Sequence, residues 1–179
     1  MAVVNQYVSP NIASTGYIQP VLPAFRGGGG CGVQSIYETF TIAASDSAAS
    51  VYRIFKNLNA NIIPLRIMVA NTAMAGTTSV NLGLYLPNFG AIVGTGSQFL
   101  SAATLATARA SLNPQIALDG MTQVSINLYY QRLFEIAGET ETAPTIATTR
   151  VDAFDLCMTM NVTGGVLGTV SILMDFVNN

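Results

Sequence analysis

Apolar and polar residues alternate with a period of two in segment after segment of this chain. That pattern confines most of it to half-buried β-strands. Val80, Leu82, Leu84 and Leu86 are separated by Asn81, Gly83 and Tyr85. Phe154, Leu156, Met158 and Met160 are separated by Asp155, Cys157 and Thr159, and Val170, Ile172, Met174 and Phe176 by Ser171, Leu173 and Asp175. Over 36–42, Ile36, Phe40 and Ile42 share one face with Glu38, while Tyr37, Thr39 and Thr41 face the other way. Residues 51–55 and 65–70 are further strands, with Pro64 at the entrance of the second. The pair Gly164-Gly165 between the last two strands predicts a hairpin.

Two stretches depart from this period. Residues 101–111 are alanine-rich, with Ser101 as N-cap, and read as a short helix. Residues 121–137 place Val124, Leu128, Leu133, Ile136 and Ala137 on one helical face, with Gly138 as the C′ residue. Their front half, with Val124, Ile126 and Leu128, also fits a strand. The threonine-rich stretch 138–150 reads as an exposed loop. Together the segments predict a mainly β fold: an antiparallel β-sandwich, jelly-roll-like, of about eight strands with one or two short helices.

That sandwich domain spans 34–179. Before it, residues 1–33 have neither helical nor strand periodicity and form an extended N-terminal arm. Pro10, Pro20 and Pro23 remove backbone donors and favour extended conformations. Gly27, Gly28, Gly29 and Gly30 then make a flexible hinge. The arm nevertheless carries ten sizeable apolar side chains between Val3 and Phe25, more than disordered segments usually hold. Burying ten such side chains cannot by itself repay the ordering of some thirty backbones. An ordered arm therefore needs a surface to lie on, and about 100 Å of extended reach would carry it across a neighbouring subunit. A docking arm and a free tail are the two readings.

Charge is scarce. Only 9% of the 179 residues are charged, none is histidine, and Lys56 is the one lysine. An ordinary soluble domain has about a quarter. No apolar run reaches the ~20 residues of a spanning helix, and the start MAVVNQYVSP lacks the basic and apolar regions of a secretory signal. Neither a membrane nor an exported location is expected. The seven basic residues are scattered, and the net charge is −2, so nucleic acid is not an expected partner. What remains is a surface of 18 Thr, 13 Asn and 12 Ser. Such groups are buried against a protein partner at lower cost than ions.

Chemistry is thinly represented. Without histidine there is no Ser-His or Cys-His nucleophile pair. Cys31 and Cys157 are too few for a zinc site and read as free thiols. The glycine tract is followed by no Lys-Ser or Lys-Thr, so it is a hinge and not a phosphate loop. Asp152 and Asp155 fall on opposite strand faces, and they read as solvated, as do Glu135, Glu139 and Glu141. Arg53 and Lys56 are placed to pair with Asp152, Asp155 or Asp175 across a sheet. No enzyme, metal or cofactor is expected.

The runs VYRIFKNL from Val51, ANIIPLRI from Ala60 and VNLGLYLP from Val80 resemble a group of small virion proteins of tailed bacteriophages. An alanine-rich segment, the run RLFEIAG from Arg132 and a final pair of strands complete the resemblance over about 35–178. It implies a head decoration, or cement, subunit made in the host cytoplasm and bound to the capsid exterior. The partners would be the major capsid protein and further copies of the chain, as dimer or trimer. On this reading the contacts fall in the arm, at Tyr7, Tyr17, Ile18, Leu22 and Phe25. Its length and Pro/Gly content depart from the group's pattern. A tail, head-fibre or head-vertex component, a small jelly-roll capsid subunit and a carbohydrate-binding sandwich module are the alternatives.

Overall fold

A computed structural model describes residues 6–8, 32–43, 46, 48–74, 78–87, 90–109, 114–119, 131–138, 151–161 and 167–178. The strands are β1 (Gln6–Val8), β2 (Gln34–Ile42), β3 (Val51–Asn59), β4 (Ile63–Asn71), β5 (Ser79–Tyr85), β6 (Leu100–Thr104), β7 (Gln115–Asp119), β8 (Ala153–Met160) and β9 (Gly168–Val177). One helix, α1 (Leu133–Ile136), lies between β7 and β8.

Two sheets result, ordered β1-β3-β8-β5-β6 and β2-β9-β4-β7. The pairs β5·β6, β4·β7, β3·β8 and β2·β9 are all antiparallel. They are the rungs of one long hairpin of eight strands, rolled so that successive rungs fall in alternate sheets. The rolled edges then meet as β5·β8 and β4·β9. This is a jelly-roll-like sandwich. The short β1 adds in parallel to the edge of β3.

Period-two residues supply the core. Phe154, Leu156, Met158 and Met160 of β8 meet Val170, Ile172, Met174 and Phe176 of β9, with Val80, Leu82 and Leu84 of β5, in one buried cluster. Each fully buried side chain of this size stabilises by about 1.5–3 kcal/mol. Phe40 of β2 stacks on Tyr52 of β3 across the two layers, with ring centroids 5.0 Å apart.

Three expectations need correction. Residues 100–104 are strand and not helix, because the edge of β5 offers backbone partners that outweigh alanine's helical propensity. Asn71 Nδ2 then donates to the carbonyls of Leu105 and Thr107, both at 3.0 Å, so those carbonyls are withdrawn from any helix. The second predicted helix is one turn, Leu133–Ile136, and residues 121–130 lie outside the described set. Its first amides dock on the turn before β4: Leu133 N–H donates to Ile62 O at 3.0 Å and Phe134 N–H to Ala60 O at 3.1 Å. Gly138 follows it at φ +84°, the left-handed C′ conformation expected of it. Finally, β8 and β9 are no hairpin. They belong to different sheets, so the connection through 161–167 crosses from one layer to the other.

Candidate functional site

The two sheets present very different outer faces. That of the five-stranded sheet is covered by the chain itself. After β5 the backbone doubles back along the same edge: Val93 N–H donates to Leu84 O and Phe99 N–H to Leu82 O, each at 3.0 Å. Gly83 makes the close approach possible, since a Cβ there would lie 2.3 Å from the carbonyl carbon of Gly96. Under this cover lie Val51, Tyr85 and Cys157, a small apolar cluster apart from the main core.

Arg53 and Asp155 form a buried ion pair beside it, with side chains 1% and 0% exposed. The guanidinium also donates to Leu86 O at 3.1 Å and Gly90 O at 3.2 Å, and it sits 5.8 Å from the centre of the Tyr85 ring. Asp155 Oδ1 accepts from Asn57 N–H at 2.8 Å, at the register shift in β3 where Asn57 adopts φ +54°. Burial pushes the Asp155 carboxyl up, while the Asn57 amide and the Arg53 guanidinium pull it down. Burial also pushes the Cys157 thiol far up. Arg53 thus pairs with Asp155 as anticipated, but Asp155 is no solvated charge. The arrangement ties the Leu86 and Gly90 carbonyls to the sheet and leaves neither charged side chain open to solvent.

The outer face of the four-stranded sheet has no such cover among the described residues. Register places Tyr37 beside Leu173 and Leu173 beside Met68, a row of apolar side chains across three strands. Tyr37 is 69% exposed. On one side of this row Thr39, Ser171 and Ala70 align, with the Thr39 and Ser171 hydroxyls 2.8 Å apart. On the other side Asp175 accepts from Ser35 Oγ at 2.6 Å and from Arg66 Nε at 2.7 Å. These two charges therefore cancel locally.

Burial sharpens the shortage of charge. Glu38, Asp46, Arg53, Asp155 and Asp175 are all buried, so few charged groups among the described residues remain to face solvent. Val33, Tyr37 and Leu167, three of the four exposed large apolar side chains among the described residues, lie on β2 or at the ends of the β2·β9 pair. Tyr37 belonged to the outward set of the β2 alternation; the Arg66–Asp175 pair had no signal beyond opposite charge on two strands.

Of the arm residues, Tyr7 lies in β1, where its backbone pairs with Tyr52. Tyr17, Ile18, Leu22 and Phe25, and the hinge at Gly27, Gly28, Gly29 and Gly30, lie outside the described residues, as do Cys31, Glu139 and Glu141. Glu135 is partly exposed and bonded to Arg132, which holds its carboxyl below the usual range. Among the described residues no three His, Cys, Asp or Glu side chains gather as a metal site, and no helix is long and apolar enough to cross a membrane.

No protein-family model and no curated protein matches the sequence. Solved structures do match in fold. A chain described as "Capsid of Ralstonia phage GP4" aligns at a TM-score of 0.57 and 11% identity, covering 97% of this chain and 98% of that one. A chain of the "Cyanophage Pam1 capsid asymmetric unit" aligns at 0.50 and 14% identity, covering 90% and 100%. The chain thus shares its fold, over nearly its whole length, with chains of phage capsids.

Proposed function

We propose that the chain is a structural protein of a bacteriophage virion that decorates and cements the capsid. The observation that carries this reading is a fold shared over nearly the whole length with phage capsid chains, in a chain of which only 9% of the residues are charged. A subunit held permanently against other protein needs little charge for solubility. The partners are the assembled major capsid protein shell and further copies of the chain, on the capsid exterior. Binding the assembled lattice and not its free subunits lowers the free energy of the lattice by mass action.

The arm is the proposed attachment device, through Tyr7, Tyr17, Ile18, Leu22 and Phe25, with 27–30 as its hinge. Removal of residues 1–33 tests this. Occupancy of particles should fall while the sandwich stays folded, and unchanged incorporation would sink the arm's role. A second reading, a small jelly-roll subunit that itself builds the shell, is favoured by the same two neighbours, since both are described simply as capsid.

A further inference from the structure

We infer that the free edge of β2 is a contact between two copies of this chain, paired antiparallel about a two-fold axis at Tyr37. Thr39 N–H donates to Glu38 Oε1 at 3.1 Å and so points away from β9. Thr39 and Ser171 are then a non-hydrogen-bonded pair of the β2·β9 ladder. By the period of two, Ser35, Tyr37 and Thr41 also turn their N–H and C=O groups to the free edge. Among the described residues no strand lies along it.

Sheet edges are normally blunted by shortness, bulges, lysine, proline or an inward-pointing charge. The other edges follow that rule. Strands β6 and β7 have five residues each and shifted registers, and β1 has three. Strand β2 has nine residues, no lysine or proline, and an unbroken register with β9; its one inward-pointing charge, Glu38, occupies the amide of Thr39 alone among the described bonds of this edge. It is the one long, regular edge among those described, and it carries two of the exposed apolar side chains, Tyr37 and, one residue before its start, Val33.

Self-complementarity identifies the occupant as a second copy. The outward residues Ser35, Tyr37, Thr39 and Thr41 are uncharged, and Arg66 and Asp175 neutralise each other within one copy. Two such faces brought side by side therefore do not repel. A two-fold at Tyr37 sets Tyr37 against Tyr37, Ser35 against Thr39, and Val33 against Thr41. It also sets Glu38 against Ile36 of the second copy, whereas a two-fold at residue 38 would oppose two carboxylates. The contact is isologous and closes on itself. It extends the reading of the chain as an assembly subunit, but it is measured on the purified protein and not on particles, so each fails independently.

The test is sedimentation of the full chain with Tyr37→Lys and Tyr37→Pro variants. Proline at 37 removes an edge donor that β9 does not use, and lysine at 37 replaces a side chain that is already exposed. The wild type should sediment as a dimer, and both variants as monomers with unchanged circular dichroism. In a Cys31→Ser background, Tyr37→Cys should oxidise to a disulfide-linked dimer. Ser35→Cys, which faces residue 39, should not. A monomeric wild type overturns the proposal, including one whose β2 amides resist hydrogen exchange because its own arm covers them. So does a dimer that Tyr37→Lys leaves intact, or equal cross-linking at 35 and 37.

Discussion

Arg53 and Asp155 face each other from β3 and β8 without solvent contact, on the side of the five-stranded sheet that points away from the core. The pair is the centre of a second, polar packing layer, closed by the carbonyls of Leu86 and Gly90. Breaking a buried pair by removing one partner strands the other charge, at a cost of about 3–5 kcal/mol. Asp155→Asn should lower stability by that order in urea denaturation. Replacing both, as Arg53→Met with Asp155→Leu, should cost clearly less than Asp155→Asn alone. Equal losses would mean the pair is not electrostatically coupled.

Gly83 and Gly168 are both crowded, with different consequences. A methyl group at 83 would meet the backbone of Gly96 at 2.3–2.4 Å, and one at 168 would meet the side chain of Met74 at 2.5–2.9 Å. Backbone cannot step aside, whereas a methionine can change rotamer. Gly83→Ala should therefore destabilise by about 1–3 kcal/mol, the usual cost of overpacking, and Gly168→Ala by less. The difference in melting temperature between the two variants measures it.

Cys157 offers a probe of opening. Burial disfavours its thiolate, Asp155 adds to the effect, and Arg53 only partly offsets it. In a Cys31→Ser background, alkylation near pH 8 should be slow in the folded chain and rapid in denaturant. The sign follows from a raised pKa: the reactive thiolate is depleted until unfolding restores the ordinary value. Rapid labelling of the folded protein would show that the cover over the five-stranded sheet opens readily.

The strands were legible because alternation is local. Val80, Leu82 and Leu84, or Val170, Ile172 and Met174, announce a buried face without reference to anything else in the chain. Three features were not local. The alanines of 101–104 say helix, and only the waiting edge of β5 makes them strand. The glycines at 164 and 165 say hairpin, but period two cannot tell which sheet a strand joins, and β8 and β9 join different ones. Asp155 sits on the outward set of β8, where alternation predicts water. It is buried because a connection some seventy residues earlier in sequence folds over it. Tyr37 was visible as an outward residue, but its place in an apolar row that no described residue covers depended on the register of β4 and β9.

The arm yields a prediction of its own. Alanine at Tyr7, Tyr17, Ile18, Leu22 and Phe25 together should reduce capture of the chain by assembled shells. The melting temperature of the free protein should change little, as expected of contacts made to the shell. Undiminished capture would move the attachment surface from the arm to the sandwich, with the Tyr37–Leu173–Met68 row as the next candidate.

The central claim is that the chain covers or builds a phage shell, and its copy number in purified particles tests that most directly. Quantitative mass spectrometry against the major capsid protein, or a cryo-EM map of the particle, should find on the order of hundreds of copies arranged with the symmetry of the shell. A dozen copies or fewer, confined to one vertex or to the tail, would contradict it.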